Sequence, residues 1–302
     1  MYDVIIVGGG PGGITAALYT VRANLKTLVL ESQFLGGNPS YADVVENYPG
    51  FPDGIQGFEL GQRMGKQLEN IGADIKMAEV KSVDFDTMTI STETEDFKTK
   101  TIIFAMGLKH KELGIPSEQA FKGKGVVYCT VCDGPLYKGR KTLVAGLGIP
   151  AITSALYLDE IAESVVLVTP SAELKAKEEV FLERIKNSNV KVITNSVVKE
   201  LQGGDRLERA IVENKETGET QVIEAEGVFV NIGKVPNTKF LEGTDIERTK
   251  KGYLKVDNKQ QTSIENVYAV GDVTSAPYKQ ISTAVGDGCK AALNISKLLG
   301  KR

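Results

Sequence analysis

Residues 3–31 read DVIIVGGGPGGITAALYTVRANLKTLVLE, and the order of residue types in them decides the fold class. The apolar, β-rich run DVIIV leads into a glycine turn, ITAALYTVRA suits a helix, and TLVLE closes a second strand on Glu31. Gly8, Gly10 and Gly13 keep the G-x-G-x-x-G spacing, with Pro11 and Gly12 inside it. In such a unit the first glycine permits the tight turn, the second lets the backbone approach a pyrophosphate, and the third lets the helix pack closely. Phosphate rests at the positive end of the helix, and an acid about twenty residues on reaches a ribose hydroxyl. A bare glycine pattern is weak, because glycine turns abound. Here the strand, the helix and Glu31 agree, and the stretch reads as a dinucleotide site rather than a structural turn.

The unit returns 138 positions later as KTLVAGLGIPAITSALYL, residues 141–158. Gly146 and Gly148 stand where Gly8 and Gly10 stood, and Ala151 replaces Gly13. Ile14-Thr15 recurs as Ile152-Thr153, and Ala17-Leu18-Tyr19 as Ala155-Leu156-Tyr157. Two Rossmann-like units imply two nucleotide-binding domains in an α/β, three-layer fold. The same register puts Thr169 in the place of Glu31, so the second unit offers no carboxylate to a ribose 2′-hydroxyl. No arginine stands there to meet a 2′-phosphate, and Lys175 is the nearest base. Pro150, in the place of Gly12, removes a backbone N–H from the turn. The second unit keeps the shape of a nicotinamide-nucleotide site and lacks its chemistry; a domain retained only for packing would read the same way.

Between the units, ADIKMAEVKSVDFDTMTISTETEDFKTKTIIFAMG is rich in β-branched residues with turn breaks and reads as several short strands. The chain leaves its first domain near Gly114-Ile115-Pro116 and crosses again in GVFVNIGKVPNT, punctuated by Gly233, Pro236 and Asn237. The final segment, NVYAVGDVTSAPYKQISTAVGDGCKAALNISKLL, is a strand, a turn holding Asp272, and a helix, most simply returned to the first domain. The second domain is therefore expected to be inserted in the first.

The chain has 302 residues, enough for about two domains, with 41% hydrophobic and 25% charged residues, the balance of a soluble globular protein. Thirty-six Lys and Arg against 39 Asp and Glu give a net charge of −3, which leaves no basic footprint for nucleic acid. The first residues lack the basic region, apolar run and cleavage site of a signal peptide, and no stretch approaches the ~18 apolar residues of a membrane helix. A cytoplasmic protein without membrane association is the expectation.

Cys129 and Cys132 stand two residues apart in VVYCTVCDGPL, followed by Asp133. Such a pair can be a redox disulfide, half of a metal site, or chemically idle. In a reducing compartment it is more often catalytic or metal-binding than structural. Zinc would need four ligands, and only Cys289 and the single histidine, His110, remain to supply them, so no metal is expected. His110, among lysines in GLKHKEL, reads as a solvated loop residue, and Cys289 as packed in a helix. The bland reading of Asp133 is a turn residue before Gly134.

These pieces in this order resemble the low-molecular-weight thioredoxin reductases over essentially the whole chain. The matching residues are GGGPGG with Glu31, GGN followed by VENYPG, CTVCDG, NIGKVPNT, and VYAVGDV followed by KQI. The resemblance implies a homodimer with an FAD domain over residues 1–112 plus 245–302 and a central dithiol domain over 113–244. It implies FAD contacts from Gly8 and the Gly10 to Gly13 turn with Pro11, and from Glu31, Gly36, Gly37, Asn38, Asn47, Val80, Gly107, Gly271 and Asp272. Lys279, Gln280 and Ile281 complete that set; Asn38 stands where the family usually has glutamine, and Lys279 where it often has arginine. It assigns Cys132 to the flavin side, Cys129 to attack on thioredoxin, and Asp133 to acid or base. Thiolate attack on a disulfide and resolution by a second thiol need two sulfurs within reach, and a neighbouring carboxyl can return a proton.

The chain departs from the NADPH-dependent members, which carry a histidine-arginine-arginine cluster and a further arginine where Thr169, Pro170, Ser171 and Lys175 stand. In this it is similar to the ferredoxin-dependent flavin thioredoxin reductases, which implies reduced ferredoxin as donor. Two alternatives stay open: an NADH- or NADPH-dependent thioredoxin reductase, and a non-enzymatic flavin redox sensor. An alkyl-hydroperoxide-reductase flavoprotein is disfavoured, since those carry an N-terminal thioredoxin-like extension ahead of the FAD strand.

Overall fold

The first strand, Tyr2–Val7, pairs in parallel with Thr27–Glu31 on one side and Asp96–Phe104 on the other. Its side chains alternate between two cores, as the period of two in a strand requires. Val4 and Ile6 face the helices Pro11–Arg22 and Ile281–Leu298 with Ala16, Ala17, Ala291, Ala292 and Ile295; Ile5 and Val7 face Val83, Ile90, Phe97 and Leu241. Asp74–Met77 extends the sheet beyond Thr27–Glu31. The nine-residue strand Asp96–Phe104 changes character along its length. Its first half alternates exposed and buried residues and pairs antiparallel with Thr89–Ser91, while its second half is buried throughout and pairs in parallel on both sides, with Tyr2–Val7 and Val267–Ala269. The C-terminal strand thus completes the sheet that the N-terminus begins.

The computed structural model describes residues 1–300 apart from 43 and 177. It divides into two units, Met1–Lys109 with Val235–Arg302, and His110–Lys234. The second unit has a five-stranded parallel sheet in the order Val126–Val127, Gly227–Asn231, Lys141–Gly146, Ser164–Val168, Lys191–Ile193. A three-stranded antiparallel sheet, Ser196–Gly203, Leu207–Asn214 and Thr220–Glu224, adds Leu201, Leu207, Ala210 and Val212 to the same core. The helix Gly148–Asp159 packs on the other face through Ile152 and Ala155. Both units are Rossmann-like α/β folds.

The chain returns to the first unit at Val235 rather than 245, and leaves it after Lys109 rather than 112. The early return has a packing cause: Leu241 is fully buried in the first unit's core, and the Thr238 hydroxyl donates to the Gly252 carbonyl at 2.9 Å. His110 also departs from expectation. It ends the short strand Leu108–His110, is half-buried with its ring 6.2 Å from that of Tyr128, and is not a solvated loop residue.

Candidate active site

In the first unit the glycine turn is built as its spacing implies. A Cβ at Gly8, where φ is +109°, would collide with the Ala105 carbonyl, and one at Gly13 with the Gly8 carbonyl. At Gly10 the nearest atom would be the Gly37 Cα at 4.0 Å, so that face of the turn stays open to a ligand. Glu31 braces this turn as well as ending its strand: its carboxylate accepts from Gly9 N at 2.6 Å and from Gln33 N at 2.8 Å. Gly36 N donates to Gly9 O at 2.8 Å, which lays the GGN segment against the turn. Gly36 sits so close to Gly61 that a Cβ would lie 2.5 Å from its Cα.

The remaining first-unit residues cluster in two groups. The Asn38 amide donates to the Leu108 carbonyl at 2.9 Å, beside Gly107, whose φ is +57°. Asn47 donates to the Gln280 side chain at 3.2 Å, a bond between residues 233 apart in sequence. Gln280 precedes the helix Ile281–Leu298, and its N–H donates to the Thr283 hydroxyl at 3.1 Å. Ile281 packs with Val45, Ile55 and Leu60. Gly271 and Asp272 lie in the turn Gly271–Val273. Lys279 reaches the Thr274 carbonyl at 2.6 Å and lies 4.7 Å over the Tyr253 ring; burial lowers its pKa, and the Asp272 and Asp287 charges oppose that. Val80 is the exception in this set, since its side chain is buried in the core with Val83 and Ile90, which leaves only its backbone to face a ligand.

In the second unit Cys129 and Cys132 form a disulfide with Cα atoms 5.3 Å apart, at the start of the one-turn helix Thr130–Asp133. Cys129 is 7% exposed, whereas Cys132 is exposed. Cys132 N donates to the Cys129 sulfur at 3.1 Å, a donor that favours the Cys129 thiolate once the bond opens. Asp133 is half-buried and its carboxyl pKa is raised by burial, the direction that suits proton return near neutral pH. Its side chain does not cap the Gly134–Tyr137 turn. Among the described residues no group of three or more His, Cys, Asp or Glu could hold a metal ion, and no helix is long and apolar enough to cross a membrane.

The sequence matches the pyridine nucleotide-disulphide oxidoreductase family over residues 2–288. The chain belongs to that family. Among its relatives, the thioredoxin reductase of Treponema pallidum is 36% identical over 293 residues, 96% of this chain and 95% of the relative. The thioredoxin reductase of Lactococcus lactis superposes with a TM-score of 0.88 at 36% identity, covering 99% of both chains. A ferredoxin-flavin thioredoxin reductase from Clostridium acetobutylicum superposes with a TM-score of 0.54 at 30% identity, covering 99% of this chain and 98% of that one. As a pyridine nucleotide-disulphide oxidoreductase of the thioredoxin reductase kind, the chain is a flavoprotein whose cofactor is FAD. The open face at Gly10 and the carboxylate of Glu31 beside it fit the pyrophosphate and ribose of that cofactor.

The oxidoreductase's second glycine turn differs in conformation from its first. Gly148 has φ +62° where Gly10 has −82°, and Leu147 N donates to the Asn231 carbonyl at 3.1 Å where Gly9 N donates to Glu31. Thr169 is 1% exposed, and its hydroxyl accepts from Ser171 N at 3.5 Å. Two residues that sequence reasoning passed over also lie against the oxidoreductase's candidate site segments. Asp287 accepts from Gly271 N at 3.2 Å and from the Gln260 amide at 2.8 Å, anchoring the turn that holds Asp272; burial raises its pKa. Glu118, 1% exposed, accepts from Leu113 N, Gly114 N and the Tyr128 hydroxyl, fixing the residue before Cys129. Asp287 was detectable, because it lies on the core-facing stripe of Ala284, Gly288 and Ala291 where an acid is out of place. Glu118 gives no such signal.

Proposed function

We propose that the chain is a homodimeric, ferredoxin-dependent thioredoxin reductase that passes electrons through FAD and the Cys129–Cys132 disulfide to thioredoxin. FAD, when bound, accepts electrons singly and delivers a pair to a disulfide. The Gly8–Gly13 turn, Glu31, Gly36, Gly37, Asn38, Asn47, Gly107, Gly271, Asp272, Lys279, Gln280, Ile281 and the Val80 backbone are the groups proposed to hold it. Cys132, the exposed sulfur, is the one proposed to meet the flavin; Cys129 leaves as the thiolate that Cys132 N supports and then attacks the thioredoxin disulfide. Asp133 returns the proton to the thiolate that thioredoxin releases when Cys129 attacks its disulfide. Leu136, 70% exposed in the turn after the pair, offers an apolar contact to the incoming protein.

The observation that supports ferredoxin over a nicotinamide nucleotide is the second glycine turn: Thr169 is buried where a ribose-binding acid would stand, Pro150 removes a donor, and Lys175 is the nearest base. The second reading, a nicotinamide donor, is favoured by the intact strand, turn and helix at Lys141–Asp159. Homodimer formation has support in Tyr19 and Leu293, which leave exposed apolar side chains on the helices Pro11–Arg22 and Ile281–Leu298.

The test combines donor and route. Holoenzyme with reduced ferredoxin is expected to produce thiols in oxidised thioredoxin, and with NADPH to produce few. Cys132→Ser is expected to trap a mixed disulfide with thioredoxin and Cys129→Ser none. The opposite trapping pattern would refute the assigned roles, and equal thiol yield from NADPH would refute the donor.

A further inference from the structure

Within the two copies of the repeated unit, the hexapeptide ITAALY of residues 14–19 recurs as ITSALY of residues 152–157 with one change, Ala16 to Ser154. In the first unit Ala16 is fully buried against the Ile281–Leu298 helix, and a Cβ at Gly288 would come within 3.1 Å of Ala16 N. In the second unit the same helical position faces the redox pair. The Ser154 hydroxyl accepts from the Thr130 hydroxyl at 2.8 Å, and Thr130 is the residue that directly follows Cys129. The Asn231 amide donates to the same Ser154 oxygen at 3.0 Å, while the Asn231 carbonyl accepts from Leu147 N in the glycine turn. Tyr157, three residues on and on the same helix face, packs against Gly134, where a Cβ would lie 2.7 Å from its ring. Thr130 and Ser154 are both buried.

A single helical turn such as Thr130–Asp133 has little stability of its own, because nucleation costs more than one hydrogen bond returns. While the disulfide is closed, the covalent bond holds the turn. Once the pair is reduced that constraint is gone, and the sulfurs keep their relative position through the turn's own weak bonds, Cys132 N to the Cys129 sulfur and Asp133 N to the Cys129 carbonyl at 3.1 Å each, and through what grips the residues between them.

We infer that Ser154, held by Asn231, is the positioning residue of the redox pair: through Thr130 it keeps the reduced Cys129 and Cys132 within reach of one another. This rests on the proposal that the pair is the redox centre. The consequence is a high effective concentration of one thiol toward the other, which favours closure of the disulfide and makes the dithiol more reducing. In the closing step two thiols lose two electrons and two protons as the S–S bond forms, and an oxidised partner disulfide takes them up as two thiols.

The experiment equilibrates holoenzyme anaerobically with glutathione redox buffers and counts free Cys129 and Cys132 thiols by alkylation. Thr130→Val keeps the volume and loses the hydroxyl, Thr130→Ser keeps the hydroxyl, and Ser154→Ala removes the acceptor. Thr130→Val and Ser154→Ala are each expected to lower the effective concentration about tenfold, a potential about 30 mV less negative. Thr130→Ser is expected to titrate with the wild type, and the Thr130→Val/Ser154→Ala double variant to shift no further than either single one. Should Ser154→Ala fail to fold, Thr130→Val against Thr130→Ser decides alone. Coincident titrations of Thr130→Val and wild type would overturn the inference, as would Thr130→Ser shifting with Thr130→Val. A wild-type pair that does not exchange with glutathione at all would overturn the underlying assignment of the redox centre, and the inference with it.

Discussion

Glu31 and Thr169 occupy the same place in two copies of one motif and meet different surroundings. Glu31 is half-exposed and accepts two backbone N–H groups beside an open glycine turn, whereas Thr169 is buried and the Leu147 N–H of its neighbouring turn is taken by the Asn231 carbonyl instead. His110 shows a residue-scale property that local sequence hides. Its flanking lysines suggest solvent, but burial, with Lys234 nearby, lowers its pKa to about 4. As the only histidine in the chain it gives one imidazole signal, expected to titrate in an NMR pH series near pH 4. A midpoint near the ordinary 6.5 would contradict its burial. The unfolded chain binds this proton first, so the contribution of neutral His110 to stability is intact above about pH 6.5 and erodes as pH falls toward 4.

At the scale of elements, the strand–turn–helix units and the returning C-terminal strand were legible because each rests on local periodicity and glycine placement. Gly8, Gly10 and Gly13 divide into two kinds that spacing alone does not separate by cost. Gly13→Ala would force a methyl into the Gly8 carbonyl, an overpacking that costs about 1–3 kcal/mol or more, so a lower melting temperature of the apoprotein is expected. Gly10→Ala has room and an ordinary φ of −82°, so the apoprotein is expected to melt within about 0.5 kcal/mol of wild type while purifying with little FAD. Equal flavin content in Gly10→Ala and wild type would remove the pyrophosphate from that face. Ser154 and Glu118 were not legible, since their partners, Asn231 and Tyr128, are chosen by tertiary packing and by no pattern within their own helices.

At the scale of the whole molecule, two α/β units with one glycine motif each share a fold and differ in chemistry. The return at Val235 falls among the turn residues Gly233, Pro236 and Asn237, which mark the crossing without saying which core receives the next apolar side chain; Leu241 decides that by packing in the first unit. In the proposed function electrons enter through the flavin from a protein donor and leave through Cys129 and Cys132. An anaerobic absorbance titration of the holoenzyme tests it most directly, adding excess NADPH or NADH first, then reduced ferredoxin, then oxidised thioredoxin. The flavin spectrum is expected to persist with either nucleotide, to bleach with ferredoxin and to return with thioredoxin. Rapid bleaching by NADPH or NADH would rule out a protein as the required donor.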